Sequence, residues 1–295
     1  MRVGFIGLGV MGSRMAGRLL AARHGVVVFN RTRERARPLE ARGAEVAATP
    51  SELAAGVDIV FSSVANDAAL EQVMFGPEGA VAGSRAGAVI VEMSTVNPRT
   101  SRQLHEAARR KGVSVLDAPV SGSIVQADQG ALVIFVGGEE DVYRKCQPLF
   151  AALATKTFYL GPSGAGATMK LCVNTLLGLG LQALAEAIAL GMKVGLPREQ
   201  FLQALGETAV VSPSQKSKLE NARKNEYPVA FPQRLMFKDF GLILETAMEW
   251  SVPMPATAAA VQVAAMERAR QLSAHTDEDF SVIIRAMERL ASPQA

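Results

Sequence analysis

Short runs of β-branched and aromatic residues recur through the first half of the chain: RVGFI, VVVFN, DIVFSSV, AVIVEM, VSVLDAP, LVIFVGG and KTFYLG. The stretches between them are amphipathic or Ala-rich, and that alternation of strand and helix patterns predicts a parallel α/β sheet. From about Gly161 the strand pattern stops. Helical periods are predicted over 165–194, 197–207, 212–224, 234–250, 254–273 and 278–290, with breaks at Gly195-Leu196-Pro197 and Val252-Pro253. The expected fold is an α/β N-terminal domain over residues 1–162, built on a mostly parallel, doubly wound sheet. An all-α C-terminal domain over 163–295 follows, opening with a long interdomain helix. The change falls at GPSGAG, 161–166, and a crevice between two such domains is a common place for a ligand.

Composition agrees with this division and narrows the class. The chain has 295 residues, above the roughly 100 to 200 of one domain. Apolar residues make up 49% and charged ones 20%, as in a soluble globular protein and unlike a disordered one. A net charge of +3 spread over dispersed arginines does not imply nucleic-acid binding. Arg31, Arg33, Arg35, Arg37 and Arg42 do cluster, and the plain reading is a solvated helix face. Cys146 and Cys172 are too few for a disulfide framework and have no metal-ligand spacing, and His24, His105 and His275 are scattered, so no metal site is expected. The first strand starts at Arg2 without a secretory leader, and a cytoplasmic location is expected. The uncharged apolar run 171–185 contains Asn174 and Gln182 and is short for a bilayer, so it reads as a buried helix rather than a membrane span.

Chemistry begins at the first strand. Gly7, Gly9 and Gly12 form G-x-G-x-x-G between that strand and a helix, with Leu8, Val10 and Met11 in the same loop. Gly7 suits the tight turn, Gly9 lets backbone approach a pyrophosphate, and Gly12 allows close helix packing, while the helix N-terminus attracts the anion. This is the dinucleotide fingerprint of a Rossmann domain. The second strand ends in Asn30-Arg31-Thr32, where an NAD site usually offers a carboxylate to the ribose. A guanidinium and a hydroxyl there favour a 2′-phosphate, so NADP(H) is expected in preference to NAD(H). Val64, where the third strand run ends, is a further expected cofactor contact.

Hydride transfer needs a proton partner. Y-x-x-x-K is absent after Tyr143, Tyr159 and Tyr227, and no zinc set exists, which leaves Lys170 in GAGATMKLCVN. Lys170 and Asn174 are i and i+4 on a helix otherwise uncharged until Glu186, sharing a face about 6 Å apart. Desolvation would bring such a lysine toward the working pH range. A lysine snorkelling from a helix start beside a capping amide explains the same spacing. In DAPVSGS, 117–123, a strand end leads into a helix, so the amides of Gly122 and Ser123 with the Ser121 hydroxyl suit a substrate carboxylate. Lys238-Asp239 lies on a helix of the second domain and reads alone as a surface ion pair.

Together these segments resemble the β-hydroxyacid dehydrogenase family, over essentially the whole chain: GLGVMGSRMA, NRT, STVNP, DAPVSGS, GAGATMKLCVN and FPQRLMFKD. The resemblance implies a Rossmann domain followed by an all-helical domain, assembled as a homodimer or homotetramer. It also implies Lys170 as the catalytic residue with Asn174 beside it. Ser121 and Gly122 would hold the substrate carboxylate, Thr95 and Lys238 would contact the cofactor, and Phe231 and Asp239 would close or order the site. The commoner family motif is DAPVSGG, and Ser123 departs from it. That departure, with NRT and the FYLG run, is most similar to the glyoxylate/succinic semialdehyde reductase branch. The implied reaction is NADPH-dependent reduction of a short aldehyde-acid to its hydroxy acid. Dehydrogenases of the 3-hydroxyisobutyrate or tartronate semialdehyde type are the alternatives. Imine reductases and a non-catalytic NADP-binding interaction module are the rivals, and both typically lack a lysine at the position of Lys170.

Overall fold

Both faces of the first sheet are apolar because its strands alternate between two cores. The structure, a computed structural model, describes residues 1–291, so the tail of the expected second domain, 292–295, lies outside the described residues. The chain divides into two units, Met1–Leu171 and Cys172–Ala295.

The first unit is a Rossmann domain. Six parallel strands run in the order β3-β2-β1-β4-β5-β6: β1 (Arg2–Ile6), β2 (Gly25–Phe29), β3 (Glu45–Val46), β4 (Ile59–Ser62), β5 (Val89–Glu92) and β6 (Ser114–Asp117). Val3 and Phe5 of β1 pack into one core with Met15, Leu19 and Phe61, while Ile6 faces the opposite core with Leu53, Val60 and Ile90. Full burial of each such side chain stabilises by about 1.5–3 kcal/mol, which fixes the register of the central strands. Chain order reverses at β1, which lies between β2 and β4. The crevice at the carboxyl ends of these strands is where ligands of open α/β sheets bind.

The last two strand runs do not join this sheet. β7 (Val120–Ser121), β8 (Leu132–Val136) and β9 (Ala154–Tyr159) form a second sheet in which β7 is antiparallel to β8. A single parallel sheet through LVIFVGG and KTFYLG is therefore corrected. Asp117 exchanges two backbone hydrogen bonds with Gly137, of 3.0 and 2.8 Å, in an antiparallel bridge, and Pro119 has no N–H with which to extend β6. β3 and β7 were not anticipated.

The long helix Ala165–Lys193 carries the division between the units. In the second unit it is followed by helices Arg198–Glu207, Pro213–Lys224, Gln233–Glu249, Pro255–Ala274 and Ile283–Ala291. Gly195, at φ +87°, ends the long helix. Gly178 lets another helix approach: a Cβ there would lie 2.5 Å from the Phe240 ring.

Candidate active site

The glycine loop has the shape its spacing predicts. Gly7 has φ +93°, and a Cβ on it would meet the Ser63 carbonyl oxygen at 2.2 Å. A Cβ on Gly12 would lie 2.0 Å from the Gly7 carbonyl oxygen. Nothing lies within 4 Å of the corresponding point on Gly9, so the space above that backbone is open. Gly9 caps the helix Val10–Ala21 with no side-chain hydrogen bond, leaving first-turn N–H groups for a ligand. Leu8, Val10 and Met11 complete this turn. Such a cradle fits a dinucleotide pyrophosphate.

Asn30 follows β2 and builds the loop. Its Oδ1 accepts the Leu8 N–H at 2.8 Å and its Nδ2 donates to the Thr32 carbonyl at 2.8 Å. Both ends of the amide are engaged locally, and the groups facing solvent beyond β2 are Arg31 and Thr32.

The loops after β4 and β5 are stapled together. The Val64 N–H donates to Ser94 Oγ at 2.8 Å, and the Ser94 N–H donates to Glu92 Oε1 at 2.7 Å. Asp67 Oδ1 accepts from the Asn97 N–H at 2.9 Å and from Thr100 Oγ1 at 2.6 Å. Thr95, half-buried, sits in the stapled stretch. Burial pushes the Glu92 carboxyl up to about 8; the Ser94 hydrogen bonds oppose this, and Asp117 and Asp67 add to it.

Ser121 lies in β7, opposite Val133 of β8, and Gly122 turns the chain at φ +132°. Ser123 is engaged locally by Gln126. Its N–H and its hydroxyl both donate to Gln126 Oε1, at 2.9 and 2.5 Å, in a capping box that starts the helix Ile124–Gln129. The Ser121 hydroxyl and the Gly122 N–H remain as the donors of that turn. Lys170 is half-buried on the long helix, one turn beyond Ala167. The Gly164 and Ala167 N–H groups each donate to the Asp117 carboxylate at 2.8 Å.

In the helical unit Asn174 is 1% exposed. Its Nδ2 donates to Asp239 Oδ2 at 2.6 Å, and its Oδ1 has no hydrogen-bond partner among the described residues. Lys238 Nζ is 2.9 Å from Asp239 Oδ1, and Asp239 is itself buried, so the pair is not the surface ion pair that spacing alone suggests. Phe231 packs edge-on against Phe280 with ring centres 5.5 Å apart. Asn174, Lys238 and Asp239 are thus brought together. Asp117, Glu92 and Ser94 shape the first unit's loops without having been singled out, although a carboxylate ending an apolar strand was a visible signal in both β5 and β6.

Comparison with known proteins extends these observations. A family profile described as the NAD binding domain of 6-phosphogluconate dehydrogenase matches residues 2–161. One described as NAD-binding of NADP-dependent 3-hydroxyisobutyrate dehydrogenase matches residues 164–287. A 2-(hydroxymethyl)glutarate dehydrogenase of Eubacterium barkeri is 37% identical over 290 residues, covering 98% of this chain and 95% of the other. Glyoxylate/succinic semialdehyde reductase 1 of Arabidopsis thaliana is 36% identical over 288 residues, covering 98% and 99%. The crystal structure of a 3-hydroxyisobutyrate dehydrogenase from Salmonella typhimurium superposes with a TM-score of 0.86 at 27% identity, covering 97% of this chain and 99% of that one.

Proposed function

The chain belongs to the β-hydroxyacid dehydrogenase family, NAD(P)-binding oxidoreductases acting on CH–OH groups, and on that footing we propose that it reduces a short aldehyde-acid such as glyoxylate or succinic semialdehyde. The observation that carries this reading is the joining of Lys170's helix to the strand that leads into Ser121 and Gly122, through Asp117.

The bound nicotinamide supplies the hydride in reduction and accepts it in oxidation. Lys170, as ammonium, gives a proton to the carbonyl oxygen as that oxygen gains charge; in the reverse direction the neutral amine takes the proton from the hydroxyl. Its half-buried position on the helix start that Asp117 holds supports such a role. The Ser121 hydroxyl and Gly122 N–H hold the substrate carboxylate. Asn174, one helical turn beyond Lys170, steadies the reacting groups and is fixed by Asp239. On the cofactor side Gly7, Gly9 and Gly12 with Leu8, Val10 and Met11 take the pyrophosphate, and Val64, Thr95 and Lys238 contact the rest. NADP(H) is preferred because Arg31 and Thr32 stand exposed beyond β2 where no carboxylate repels a 2′-phosphate.

A second reading has a specific basis: the match to a 2-(hydroxymethyl)glutarate dehydrogenase is as strong as that to the reductases. The deciding assay follows NADPH oxidation with glyoxylate, succinic semialdehyde, methylmalonate semialdehyde and tartronate semialdehyde. NADP⁺ reduction with 2-(hydroxymethyl)glutarate is measured alongside, and each assay is repeated with the non-phosphorylated cofactor. Lys170→Ala is expected to lower turnover by about 10²- to 10⁴-fold with NADPH binding retained. Loss of cofactor binding in that variant would make the lysine structural. NADPH binding without turnover of any substrate would instead favour an imine reductase or a non-catalytic module.

A further inference from the structure

We propose that Asp117 is a positioning residue for Lys170: its buried carboxylate fixes the first turn of the long helix, and with it the lysine, to the strand that leads into Ser121 and Gly122. The proposal rests on the reading of Lys170 as proton donor. Asp117 is 0% exposed, and its two oxygens take different N–H groups of the helix start, Oδ1 from Gly164 and Oδ2 from Ala167, each at 2.8 Å. Two points of attachment set the helix's rotation as well as its position. Lys170 is three residues past the second.

The surroundings leave this carboxylate no alternative place. A Cβ on Gly137 would lie 2.8 Å from both Asp117 oxygens, and one on Gly166 would lie 2.5 Å from the Asp117 carbonyl oxygen and 3.0 Å from Oδ2. Backbone has been brought against the side chain from two elements, β8's end and the helix, and only glycine permits that approach. Capping alone would not need such an arrangement. Ser163 lies just ahead of the helix, and its buried Oγ has no partner among the described residues. A local serine would cap without burying a charge. Instead the cap comes from a residue 47 positions earlier, on the strand that ends three residues short of β7. Burial pushes the Asp117 carboxyl upward, and its backbone donors oppose that. A charge held at this cost is most valuable where its attachment must be rigid.

Asp117→Asn tests the idea, because the amide keeps the size of the side chain but presents an N–H₂ to one of the two helix donors. The expected result is a fall in kcat of about 10²-fold, the scale of a misplacement near 1 Å. KM for NADPH should be nearly unchanged, and amide hydrogen exchange over 164–171 should be faster. The decisive comparison is Asp117→Asn made in the Lys170→Ala background. A residue acting through the lysine costs nothing further once the lysine is gone. Equal losses in both backgrounds would mean that Asp117 merely stabilises the fold, and would overturn the proposal. Full activity of Lys170→Ala alone would instead remove the reading on which it rests. If Asp117→Asn does not fold, Gly166→Ala reads the same quantity. That variant keeps the carboxylate but sets a Cβ 2.4 Å from the Phe135 carbonyl oxygen, displacing the first turn.

Discussion

Glu92 and Asp117 end neighbouring strands in register, both almost without exposure to water, yet their surroundings differ. Asp117 is met by backbone donors on both oxygens. Glu92 receives the Ser94 N–H on Oε1, while Oε2 is buried with no partner among the described residues. Its neutral form is therefore favoured, at a value raised from 4.5 to about 8. The folded protein then binds a proton that the unfolded chain releases. Stability from this group is complete below about 4.5 and is lost as pH rises through about 8. Glu92→Gln keeps the acceptor for Ser94 and cannot ionise. Thermal melts between about pH 6 and about pH 9 should show Tm falling with pH in the parent and nearly level in the variant. Parallel slopes would mean that Glu92 does not titrate as its burial predicts. This burial could not be read from the sequence, because an apolar run ending in Glu describes an exposed strand end equally well. The glycine loop was legible for the opposite reason: Gly7 and Gly12 are there for backbone clearance, which only a residue without a Cβ can provide.

Among elements, the long ones were legible and the two-residue ones were not. Five central strands and all the major helices follow from periodicity, since four or more residues are needed before alternation can be seen. β3 and β7 are shorter than that, and the second sheet depends on the Asp117 to Gly137 bridge, a contact between distant residues. The last helix shows the same limit. Its pattern predicts a helix from residue 278, but Asp279 lies outside it, before a short 3₁₀ turn, Phe280–Val282, and the helix Ile283–Ala291. Asp279 is fully buried and accepts from Lys218 Nζ at 2.8 Å, from the Phe231 N–H at 2.9 Å, and from the Ser281 N–H and hydroxyl at 3.0 and 2.6 Å. Burial alone would raise its carboxyl, yet Lys218 and these donors outweigh it and the net shift is downward. Its contribution is thus present above the ordinary carboxylate range and lost as pH falls through the lowered value. Asp279→Ala strands Lys218, whose side chain is only 13% exposed. A loss of about 3–5 kcal/mol is expected in urea unfolding near neutral pH. The deficit should shrink in acid, where the parent also loses the charge; a deficit constant with pH would assign it to packing alone.

At the scale of the whole molecule, the long helix raises a question its own unit does not answer. A helix that is apolar all round requires cover on every side. An 18-residue window within Ala165–Lys193 has a mean hydropathy of 1.5, and only 44% of it is buried. By length and composition alone the helix qualifies as a membrane span, but it begins in a Rossmann domain and carries a buried Asn174 paired with Asp239. Leu176 of this helix is 76% exposed, and exposed apolar side chains occur elsewhere in the helical unit, with Met248 at 80% and Trp250 at 67%. A second copy of the chain is the cover expected, in keeping with the homodimers or homotetramers that the family resemblance implies. Sedimentation without detergent should therefore give two or four times 31.2 kDa. Leu176→Glu places a charge where that cover would desolvate it, and it should return the protein to a single chain's mass with its thermal unfolding made concentration-independent. A parent that is already monomeric without detergent would rule out the second copy, and one that needs detergent to remain in solution would point to a membrane as the cover instead.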